Sequence, residues 1–123
     1  MGGTTFYNEV PAHGETTTVS AAFLHAVEQA QWEHGHGGYT GTIAEKHGYV
    51  EFTIPEGLSA QDVTKLIREY EENQWAADEA KVPVVIPPGL DLARMFAVYD
   101  DKWGPAVAFK SGNSWVFCGW ASC

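Results

Sequence analysis

One chain of 123 residues, 45% hydrophobic and 13% aromatic, fits a single globular domain over residues 1–123 and argues against a disordered tail. Sixteen acidic against seven basic side chains give a formal charge of -9, which repels phosphate backbones and argues against direct nucleic-acid binding. No window approaches the ~18 apolar residues of a membrane span, and two cysteines, Cys118 and Cys123, without an apolar leader read as reduced thiols of a cytoplasmic protein.

Thr4 to Val10 is rich in β-branched and aromatic residues and reads as a strand. From Val19 the period changes. Val19, Phe23, Val27, Ala30 and His34 form one stripe of an amphipathic helix, with Thr18 as N-cap and Gly35 as the residue that ends it. Thr40 to Lys46 and Tyr49 to Ile54 read as two strands of a hairpin turning at His47-Gly48. Ser59 to Asp62 resembles a capping box, with Asp where Glu or Gln is usual. Val63, Leu66, Ile67, Tyr70 and Gln74 continue a second helical stripe. The prolines of "VPVVIPPG" allow at most a short edge strand. Arg94 to Tyr99, Trp103 to Lys110 and Ser114 to Trp120 read as three further strands, with Ser111-Gly112-Asn113 as the last turn. The expected fold is α+β: a two-layer sandwich with a mainly antiparallel sheet covered by two helices.

The stretch "HGHGGYTGTIAEK", His34 to Lys46, admits three readings. His34 and His36 could ligate one ion, completed by Glu33, Glu45 or His47, although no standard metal motif is present. Gly35 to Thr42 could cradle a small anionic ligand such as a nucleotide signal, with Gly37, Gly38 and Thr40 at close approach, Tyr39 stacking and Lys46 as counter-charge. The glycines follow a helix C-terminus, however, and phosphate loops precede an N-terminus. The third reading is a chain reversal, with His34 turned inward and the glycines letting the backbone bend.

Nothing in the sequence forms a catalytic constellation. There is no GxSxG elbow and no Cys with an obviously paired His, and the doublets Glu71-Glu72 and Asp100-Asp101 do not converge by spacing. No catalytic residue and no cofactor is assigned, and a metal-dependent enzyme is the weakest of the alternatives.

At "AAFLHAVEQAQWEHGHGGYTGTIAEK" and "DKWGPAVAFKSGNSWVFCGWASC" the chain resembles an uncharacterised family of short hypothetical proteins from bacteriophages and bacterial mobile elements. The likeness covers about half the chain and rests on the GHGGYTGTIAEK and C-terminal GWASC motifs. It implies an accessory protein that works in a bacterial cytoplasm by binding a host or defence protein. With the -9 charge and five Trp, five Tyr and six Phe, the expectation is stoichiometric docking through carboxylates and exposed aromatics. Trp32, Tyr39, Trp75 and Trp103 flank turns or element ends and are the expected anchors.

Overall fold

The computed structural model describes residues 3–34, 41–75, 79 and 84–122. Strand β1 spans Gly3–Pro11, helix α1 Val19–His34, β2 Tyr49–Phe52, α2 Ala60–Trp75, α3 Leu92–Asp100, β3 Ala106–Ser111 and β4 Ser114–Ser122. The strands form one sheet in the order β1-β4-β3-β2. Its β1–β4 and β3–β4 pairs are antiparallel and its β2–β3 pair is parallel. The α+β class and the mainly antiparallel sheet agree with the sequence reading.

Helix α1 begins where its cap predicts. The Ala21 N–H donates to the Thr18 hydroxyl at 3.3 Å, and the Ala22 N–H to the Thr18 carbonyl at 3.0 Å. Its innermost residues are Ala22, Ala26 and Ala30, with Val19, Phe23 and Val27 partly buried along the flank. These alanines share a core with Ala106, Ala108 and Ala121 of the sheet. Small side chains on both partners let backbones approach closely at native packing density. The Trp115 indole N–H donates to the Thr17 carbonyl at 2.9 Å and ties β4 to the entry of this helix. The His34 side chain and Gly35 lie outside the described residues.

Two sequence expectations are corrected. The described residues 41–46 form no hairpin arm. Ile43–Glu45 is a single 3-10 turn, with the Thr42 hydroxyl accepting from the Ala44 N–H at 3.2 Å. Threonine suits a strand and a local hydroxyl-capped turn alike, and the buried Ile43 draws the turn into the α1-side core. Strand β2 therefore pairs in parallel with β3, from Tyr49↔Ala106 to Phe52↔Phe109. The second correction is α3, where a strand was expected. Asp91 Oδ1 accepts from the Arg94 N–H at 3.2 Å, and Leu92, Met95 and Tyr99 are buried at i, i+3 and i+7, a helical period.

That third helix changes how the sheet is covered. Helix α1 lies on one face, while α2 and α3 lie on the other, joined by Tyr70 and Phe96 with ring centroids 5.1 Å apart. Along β3, Ala106 and Ala108 belong to the first core and Val107 and Phe109 to the second, all at 0% exposure. The centre of the sheet thus buries both faces, where a single covered face was expected. The β3–β4 turn is the two-residue Gly112-Asn113, with Gly112 at φ +58°.

Candidate binding surface

Lys46 is only 3% exposed and points into the protein. Its Nζ donates to the carbonyls of Asp101 at 3.0 Å, Lys102 at 3.4 Å and Gly104 at 3.0 Å. An ammonium carries three protons, so every one has an acceptor. The Phe6 ring centroid lies 5.9 Å from the same nitrogen. The carbonyls sit just past the C-terminus of α3, where the helix dipole favours a cation. Burial lowers the Lys46 pKa, and the charge of Asp101 partly opposes that shift.

The segment thus gripped is braced again from within. The Asp101 N–H donates to the Val98 carbonyl at 3.3 Å, the Gly104 N–H to the Asp101 carbonyl at 3.1 Å, and the Trp103 N–H to Asp101 Oδ1 at 3.1 Å. A Cβ at Gly104 would stand 2.6 Å from Asp101 Oδ2, so glycine suits this close approach. On the outside of the loop is Trp103, 61% exposed, with Lys102 Nζ 5.3 Å from its ring centroid. A short loop fixed from below presents one large aromatic group to solvent.

The other residues singled out in the sequence are scattered or lie outside the description. Trp32, in the last turns of α1, is 89% exposed. Trp75 ends α2, and its side chain is outside the described residues. His36, Gly37, Gly38, Tyr39 and Thr40 also lie outside them, as do Cys123 and most of the proposed Gly35–Thr42 cradle. Among the described residues no three His, Cys, Asp or Glu side chains converge on a point. Lys46 directs its donors into the loop instead of toward a ligand.

One feature escaped the sequence reading. Strand β1 lies at the sheet edge, and among the described residues nothing pairs with its outer side. Helices α2 and α3 stop short of it, so Thr5, Tyr7 and Glu9 are exposed while Cys118, opposite Tyr7, is 1% exposed. A 390 Å³ cleft opens there, lined by Thr5, Tyr7, Thr64, Arg68, Tyr99 and Cys118. Burial pushes the Tyr99 hydroxyl and the Cys118 thiol each up to about 12, so both are neutral. The Tyr7 hydroxyl, 3.4 Å from the Glu9 carboxylate to which it donates, is raised by burial and then by that carboxylate. On the α1 side of the same strand lies a second, polar cleft of 420 Å³, which includes Asn8, Gln29 and Glu33. The available sequence signal was that "TTFYNEV" contains no lysine and no proline to blunt an edge. Compared with known proteins, the chain matches no family model, no curated protein and no solved structure.

Proposed function

We propose that this chain is a small acidic accessory protein of the phage or mobile-element kind. It acts stoichiometrically in a bacterial cytoplasm by occupying the surface of a host or defence protein. The observation that carries the reading is the loop at residues 101–104, where a buried ammonium holds an exposed tryptophan in place. Rigid, exposed aromatics make effective anchors because little conformational entropy is lost when they are buried. The -9 charge adds long-range attraction to basic partner surfaces and disfavours nucleic acid. Among the described residues no helix is long and apolar enough to cross a membrane. The alternative, a nucleotide-signal binder with Lys46 as counter-charge, loses support because all three Lys46 donors face loop carbonyls.

The test is affinity capture from bacterial lysate, followed by mass and stoichiometry of the purified complex. A 1:1 complex is expected whose association slows as salt rises. Trp103→Ala should weaken it by about 2 kcal/mol, the size of an interface hot spot, with melting temperature unchanged. Failure to recover any specific partner across a range of salt concentrations sinks the reading.

A further inference from the structure

We infer that the outer edge of β1 is a docking site for an extended segment of the partner protein, which adds a strand to the sheet and turns an acidic side chain toward Arg68. The inference rests on the reading of this chain as a protein-binding protein and names how a partner is held. Three features of the edge converge on it.

The first is the edge itself. β1 keeps register with β4 over all of Gly3 to Pro11. Alternate residues of such a strand turn their N–H and C=O groups outward. Natural edges are blunted by lysines, prolines, bulges or brevity. Here the strand is nine residues long, its proline stands at the last position and its one charged residue is Glu9.

The second is the pair of clefts. Thr5, Phe6 and Tyr7 line both of them, one on each face of the sheet. Side chains of an added strand alternate between faces. A strand laid along β1 therefore places successive side chains in one cleft and then the other. Backbone pairing supplies affinity and the two clefts supply selection, which is the logic of strand addition.

The third is charge. Among the described residues, Arg68 is the only charged side chain lining the α2-side cleft. Around it stand four hydroxyls: those of Thr5 and Tyr99, and those of Tyr7 and Thr64, which donate to the Glu9 carboxylate and the Gln61 carbonyl. A guanidinium with hydroxyl neighbours suits a carboxylate. The α1-side cleft is polar, with Asn8, Gln29 and Glu33 in its lining, and suits a basic residue. The segment implied carries Asp or Glu on one face and Lys or Arg on the other. A second copy of this chain is the poorer occupant, because it brings a second charge of -9 to the same edge.

The probe is the heptapeptide Thr-Val-Lys-Glu-Lys-Val-Thr, joined to the N-terminus of the full chain through a Gly/Ser linker. The tether raises its effective concentration to the millimolar range. Pairing is read as slowed hydrogen exchange at the amides of β1. The expected result is protection that is about tenfold greater than with the charge-exchanged peptide Thr-Val-Glu-Lys-Glu-Val-Thr. In an Arg68→Glu chain that preference should shrink several-fold, because the peptide's Glu then meets a carboxylate while its Lys residues still meet the α1-side Glu33, a change of selectivity that a purely structural role for Arg68 does not produce. The proposal is overturned if neither peptide slows exchange at β1, or if a version with a central proline protects equally. It is also overturned if Arg68→Glu leaves the preference unchanged, or if the untethered protein dimerises through β1. A captured partner that leaves β1 exchange unchanged removes this inference and spares the binding reading. Loss of capture with the tethered peptide still pairing does the opposite.

Discussion

Lys46 shows how one buried charge can organise a surface. Taking an ammonium out of water costs several kcal/mol unless its protons find acceptors. Here the acceptors are main-chain carbonyls, so the compensation comes from the very loop that displays Trp103. Replacing Lys46 with Met keeps the apolar stem and removes the donors. That variant should lose about 2 kcal/mol of stability, in the range for hydrogen bonds to a charged group. Urea denaturation gives the number, and amide exchange at residues 101–104 should quicken in parallel. A variant as stable as the parent, with exchange unchanged, would mean that the ammonium does not brace the loop. The sequence marked Lys46 as worth attention but assigned it to a ligand. Nothing local could reveal its partners, because they lie more than fifty positions away along the chain.

Among the elements, α2 was the most legible and α3 the least. Ser59 and Asp62 close a reciprocal box: the Ser59 N–H donates to Asp62 Oδ2 at 3.0 Å and the Asp62 N–H to Ser59 Oγ at 3.1 Å. Asp does here what Glu does in the usual motif, and the pairing lowers the Asp62 pKa, chiefly through the Ser59 backbone N–H. Ser59→Ala should cost about 1 kcal/mol, the usual loss at an N-cap, measured by chemical denaturation at neutral pH. Because the folded-state pKa of Asp62 is lowered, the contribution of the box is present above the unfolded carboxylate value. It fades as pH falls through the folded one. The deficit of an Asp62→Asn variant, which loses the carboxylate but keeps the Ser59 N–H, should therefore shrink in acid, and a deficit that is constant with pH removes that carboxylate as its cause. By contrast, "ARMFAVYD" satisfies two periods at once. Its apolar and aromatic residues suit a strand, while Leu92, Met95 and Tyr99 match a helix only when the Asp91 cap is counted. A local window sees the first pattern more readily than the second.

At the scale of the whole molecule, two buried acids govern behaviour at high pH. The Cys118 thiol rises from 9.0 to about 12 through burial, and the Tyr99 hydroxyl from 10.0 to about 12, again mainly through burial. Both folded values lie above the unfolded ones, so their contribution is fully present below pH 9.0 and is lost as pH climbs from there to about 12. For Cys118 alone the shift corresponds to roughly 4 kcal/mol at about 1.4 kcal/mol per pH unit. Lys46 acts in the opposite sense, since its lowered value makes stability rise with pH up to its unfolded value of 10.5. Denaturation midpoints should fall over that alkaline window, and Cys118→Ala should flatten the slope whatever it costs in packing. An unchanged slope in that variant rules out the thiol as the source. Charge, size and the positions of β1, α1, α2 and the β3–β4 hairpin follow from the sequence, because capping, turn chemistry and a sustained period act between near neighbours. The inward turn of Lys46, the parallel pairing of β2, the helical state of residues 92–100 and, among the described residues, the open outer side of β1 were decided only by tertiary structure. Each depends on which distant segment supplies the acceptor, the pairing strand or the covering layer, and no spacing within one chain segment encodes that.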